Sequence, residues 1–136
     1  MKMLTPTQWN TVEDKEKFIA KFKGFVKADF KESHFTKEFY NRMSMMRGHI
    51  AHYDRGGFYE AQFSTSERRA DFLQHWAAGH INGDPAWTWS DVERVLADWL
   101  QEHPEHERKQ RAQHDNIIED IERRELARLN VKYATA

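Results

Sequence analysis

The chain has 136 residues, 39% of them apolar and 32% charged, a length and balance that fit one hydrophobic core beneath a heavily charged surface. It contains no cysteine, which excludes a disulfide framework, thiolate metal ligation and a cysteine nucleophile. The net charge of −1 gives no overall field toward nucleic acid or an anionic membrane, and no apolar run reaches signal-peptide or membrane-spanning length, so a cytoplasmic protein without membrane contact is expected.

Nine Phe, five Trp and four Tyr are the material for the core. Each buries a large area, so a few of them suffice for a small domain. Thr11 is placed to cap a first helix, with Asp14 at the capping-box position. Phe18, Ile19, Phe22, Phe25 and Val26 then recur at spacings of three and four, one apolar helical stripe ending near Asp29.

A second helix is expected from about Thr36, with Thr36 or His34 near its cap. Phe39, Tyr40, Met43, Met46, Ile50 and Tyr53 keep helical spacing, and Gly56 and Gly57 are expected to stop it. The short alternating run from Phe58 to Phe63 predicts an extended segment without a partner strand. Ser64 and Glu67 have capping-box spacing for a third helix, with Phe72, Leu73 and Trp76 on its apolar face and Gly79 as its stop. Residues 80–88 are expected to form a loop, with turn chemistry at Asn82, Gly83, Asp84 and Pro85.

Ser90 and Glu93 repeat the capping box before a fourth, amphipathic helix carrying Val92, Val95, Leu96, Trp99 and Leu100, which Pro104 ends. From His106 to about Asn130 the chain is dense in charge, with a thin apolar stripe of Ile117, Ile118, Ile121, Leu126 and Leu129. Such a helix packs on the body, projects into solvent, or pairs with a copy of itself as a homodimer. The expected fold is an all-α single-domain bundle of about five helices, with a core domain over 1–104 and a charged C-terminal helix over 105–136.

The richest local chemistry lies between His49 and Tyr59, where two His, an Asp, an Arg, two Tyr and a Gly pair fall together. His49 and His52 are three apart, so they share a helix face. With Asp54, His75 or His80 they would complete a metal site; alone they supply two ligands, and helix-terminal histidines are the plainer reading. No metal and no cofactor is expected. Catalysis by His49, His52 or Asp54 as a general base is an alternative needing one perturbed pKa.

Gly56 and Gly57 lack the lysine and serine or threonine of a phosphate loop, and no hydrolase triad has support. Phe58 and Tyr59, re-aimed by the glycines, belong either to the core or to a contact surface, as do Trp87 and Trp89 beside the fourth helix; a loop Trp is a typical binding anchor. Seven lysines from Lys15 to Lys37 are a candidate nucleic-acid face, diluted by Glu13, Asp14, Glu16, Asp29 and Glu32 and lacking any nucleic-acid motif.

The stretch from His49 through Tyr53 to Gly57, Phe58 and Tyr59, with Phe63 beyond, is similar to a pattern in small uncharacterised proteins of bacteriophages and mobile elements. That resemblance covers about fifteen residues and brings no catalytic residues with it. It implies a protein that binds and redirects or inhibits a host macromolecule. The expected function is therefore a non-enzymatic interaction protein acting on a host protein, with Arg55, Phe58, Tyr59 and Trp87 as contacts. A small enzyme at His49, His52 and Asp54, or a nucleic-acid binder using Lys15–Lys37, are the alternatives.

Overall fold

The computed structural model describes residues 4–46, 54–78 and 84–134. It is all-helical among the described residues: α1 (Val12–Lys27), α2 (Lys37–Met46), α3 (Arg55–Phe63), α4 (Ser66–Ala77), α5 (Ser90–Glu102) and α6 (Glu105–Ala134), with one 3-10 turn at Glu32–His34. None of these helices is long and apolar enough to cross a membrane.

α1 forms as its sequence predicts. Thr11 accepts the Asp14 N–H at 3.1 Å while the Asp14 carboxylate accepts the Thr11 N–H at 2.9 Å, a complete capping box. Its buried stripe of Phe18, Phe22 and Phe25 meets Phe39 of α2, Phe63 of α3 and Trp76 of α4, with ring centroids 4.9–5.0 Å apart in the tightest pairs. Phe63 and Phe72 sit edge to face at 4.7 Å. Such aromatic pairs add about 1 kcal/mol each beyond the area they bury.

The extended segment expected after Gly57 is instead α3, which makes six α-helices among the described residues, where about five were expected. Asp54 caps it by accepting the Gly57 N–H, and the Phe58 N–H reaches the Asp54 carbonyl at 2.9 Å. A Cβ on Gly57 would stand 2.8 Å from the Asp54 carboxylate oxygen, so glycine at this position lets the cap close. The intrinsic cost of two glycines, roughly 1 kcal/mol each, falls on the first turn and is offset by the cap and by burial of Phe58 and Phe63.

Two boundaries also differ from expectation. Thr65, not Ser64, caps α4, accepting the Arg68 N–H at 3.2 Å. Trp89 occupies the cap of α5 with no side-chain hydrogen bond, and Ser90 is its first, buried residue. The continuation of the second helix through Ile50 and Tyr53 lies outside the described residues.

The end of α1 is unusual. Asp29 and Phe30 follow it with φ of 59° and 61°, left-handed values that L-residues adopt at a cost of about 1 kcal/mol or more each. The Phe30 N–H bonds the Phe25 carbonyl at 3.0 Å and the Asp29 N–H bonds the Val26 carbonyl at 3.1 Å, a Schellman motif with aspartate where glycine is usual. The turn drives Phe30 into the core, edge to face with Phe25 at 5.2 Å.

α6 begins two residues after α5 and lies along α4 over its first turns. From Asp115 to Tyr133 its side chains are exposed, Leu129 alone being half-covered.

Candidate functional site

Between Arg55 and Tyr59 the structure places fold-holding groups where a contact surface was expected. Phe58 is 3% exposed and stacks on Phe35 at 6.0 Å. Tyr59 donates its hydroxyl to the Phe30 carbonyl at 2.7 Å, and burial pushes its phenol up from the ordinary range. Arg55 donates to the Phe35 carbonyl at 3.0 Å and pairs with Glu32 at 3.5 Å. All three carry the double left-handed turn and the 3-10 turn on α3.

Asp54 is committed to the α3 cap, while His49 and His52 lie outside the described residues, as does His80. His75 lies on the exposed side of α4. Among the described residues, no group of three or more His, Asp or Glu side chains could hold a metal ion.

The lysine run is not one solvated face. Lys15 is 0% exposed, and its ammonium has five oxygen contacts. It donates to the carbonyls of Thr5, Pro85 and Thr88 at 2.6, 3.1 and 3.2 Å, and to both carboxylate oxygens of Asp91 at 2.8 and 3.0 Å. Of the others, Lys21 pairs with Glu38 at 3.7 Å and Lys23 lies over the Trp99 ring at 5.6 Å. Lys17, Lys27 and Lys31 are exposed.

The buried Lys15 pair marks the most constructed part of the surface. Four chain segments converge on it: the N-terminal stretch, α1, the turn before α5, and α5 itself. Asp91 also accepts the Thr5 N–H at 2.9 Å, so Thr5 is held through both its backbone groups.

Each of the two irregular segments carries one exposed tryptophan. Trp9 is 72% exposed, in a turn where Thr7 accepts the N–H groups of Trp9 and Asn10 at 3.2 and 3.0 Å. Asn10, buried beneath it, accepts from the Arg42 guanidinium. Trp87 is 65% exposed, in a turn organised by Asp84. The Asp84 carbonyl accepts the N–H groups of Trp87 and Thr88, both at 2.9 Å, and its carboxylate accepts that of Ala86 at 2.9 Å.

Trp87 therefore stands exposed in the turn ahead of α5. Trp89, weighed with it, is a core residue, edge to face with Phe18 at 5.9 Å. Sequence reasoning missed Trp9, which precedes the first helical signal and belongs to no periodic pattern. No known protein family, curated protein or solved structure matches the chain, so its surface is interpreted from its own residues.

Proposed function

We propose that the chain is a non-enzymatic binding protein that occupies a surface on a protein partner, with Trp9 and Trp87 as its anchors. The observation that carries this reading is one buried ion pair that holds the Trp87 turn, through Pro85 and Thr88, and the N-terminal stretch leading into the Trp9 turn, through Thr5. A buried ion pair contributes little net stability compared with apolar packing, whereas it fixes geometry. Exposed tryptophans on a rigid backbone are already ordered for binding, which lowers the entropic cost of association. The host macromolecule implied by the resemblance is the kind of partner this surface would meet. In the same reading, the outer half of α6, with Ile117, Ile118 and Ile121 exposed, is a second association element able to meet another copy of the chain.

Affinity capture from a bacterial lysate, with and without nuclease, tests the reading. The wild-type chain is expected to retain a stoichiometric protein through nuclease treatment. Trp9→Ala and Trp87→Ala should each weaken that capture about tenfold or more, with the melting temperature unchanged. Equal capture by the variants would overturn the assignment of the surface. Recovery of nucleic acid, lost steeply with added salt, would replace it with a phosphate-binding reading through the exposed lysines. Recovery of only untagged copies of the chain would assign association to self-pairing.

A further inference from the structure

The two halves of α6 are built the wrong way round for an ordinary packed helix. Residues 105–116, which include the part lying on the body, contain no apolar side chain larger than that of Ala112. The large apolar residues of α6 all fall in its outer half, where Ile117, Ile118, Ile121, Leu126, Val131 and Tyr133 are 42–69% exposed and Leu129 is half-covered. No residue of α6 belongs to the apolar core cluster.

Polar groups hold the docked half. Gln110 is 1% exposed and bridges two elements, accepting from the Arg69 guanidinium of α4 at 2.8 Å and donating to the Asp29 carboxylate at 2.6 Å. Lys109 stands 3.7 Å from the same carboxylate. Arg111 donates to Asp71 and Gln74 of α4, both at 2.9 Å. His106 lays its ring against Trp99 of α5 at 5.1 Å.

Exchange of protein–protein for protein–water hydrogen bonds makes each such contact worth only about 1 kcal/mol net, somewhat more with a charged partner. Exposed ion pairs add less. A helix docked without large apolar side chains lacks the main force that holds the other five in place. Its covalent link to the body is His103 and Pro104, and proline there prevents α5 and α6 from merging into one helix. Release would also free the Asp29 carboxylate, which now accepts from Gln110. Three i,i+4 or i,i+3 pairs, Glu119 with Arg123, Asp120 with Arg124 and Glu125 with Arg128, support the outer half as a helix without the body.

We propose that α6 is a releasable arm: it swings off α4 and the Asp29–Phe30 turn about His103–Pro104 while α1 to α5 stay folded, and Gln110 is its latch. This goes beyond the tryptophan surface and does not depend on it. An arm that swings carries the apolar outer half to surfaces the docked position cannot reach.

The absence of cysteine makes the test direct. Spin labels on cysteines introduced at two exposed positions, Glu67→Cys in α4 and Asn116→Cys in α6, report the distance between arm and body in the full chain. A docked population with one narrow distance is expected beside a smaller, broad one. Gln110→Ala should raise the ratio of broad to narrow about tenfold, and Arg111→Ala, which leaves no buried group unpaired, should raise it severalfold. Far-UV circular dichroism and the near-UV tryptophan signal should stay unchanged in both. A single narrow distance that neither variant alters would overturn the proposal. So would a broad population that appears only together with loss of the core's near-UV signal, because α6 would then leave only when the whole domain unfolds.

Discussion

A lysine with no exposed surface has to be matched contact by contact, and Lys15 is. Asp91 neutralises its charge, and its three N–H donors are shared between that carboxylate and the backbone carbonyls of Thr5, Pro85 and Thr88. Lys15→Met keeps the aliphatic stem and removes the donor, leaving Asp91 and those carbonyls without it. We expect a loss of about 3–5 kcal/mol in urea denaturation. Asp91→Leu added to Lys15→Met should recover part of that loss, since the uncompensated carboxylate is then gone. A loss under about 1 kcal/mol in the single variant would mean that water or a shifted side chain can replace the ammonium. Its place was legible in one respect: Lys15, Phe18, Phe22 and Phe25 follow spacings of three, four and three, so Lys15 continues the apolar stripe of α1. Its charge disguised that position. Asp91 gave no comparable signal, because a contact 76 residues distant has no local trace.

The helices themselves follow from capping and periodicity where both agree, as in α1, with Thr11 and Asp14 ahead of its Phe stripe. α3 was hidden because its two glycines imitate a stop and its aromatic residues imitate alternation. Phe58, Tyr59 and Phe63 nevertheless lie one, then four apart, and Asp54 is spaced to cap them. Single-sequence signals do not tell a glycine that ends one helix from a glycine that lets the next one begin. For α6, charge density and length were plain in the sequence, whereas the polar character of its docking was visible only once Gln110 was seen between Arg69 and Asp29. Its attachment should depend on pH. Burial against Trp99 holds the His106 imidazole below its ordinary value of 6.5, and His103, Lys27 and Lys109 act in the same direction while Glu105 opposes them. The folded state thus favours the neutral ring. That stabilising preference is full above 6.5 and is lost as the pH falls through 6.5 toward the lower folded value. Thermal melts from about pH 7.5 to 5.5 should show a decline that His106→Gln reduces; an identical decline in the variant would assign it to other groups.

At the scale of the whole molecule, a core of stacked and edge-on aromatic rings carries two outward features of different kinds. One is organised by Lys15 and Asp91, which hold the Trp87 turn at Pro85 and Thr88 and the stretch leading to the Trp9 turn at Thr5. The other, α6, is joined to the body by polar contacts and a two-residue hinge. An all-helical bundle with a long charged last helix was legible from composition and periodicity, because both report on burial averaged along the chain. The joined turns were not, since they depend on segments distant in sequence and on irregular backbone that no period describes. The central claim is that one ion pair makes those two turns a single rigid surface. Hydrogen exchange read by mass spectrometry over residues 4–10 and 84–90 tests it most directly, in the wild type and in Lys15→Met. In the wild type, the hydrogen-bonded amides of Thr5, Asn10, Trp87 and Thr88 should exchange about a hundredfold or more slowly than in an unstructured chain. In Lys15→Met both segments should lose that protection together, under conditions where circular dichroism shows the helices intact. Unprotected turns in the wild type, or one segment opening without the other in the variant, would contradict the account.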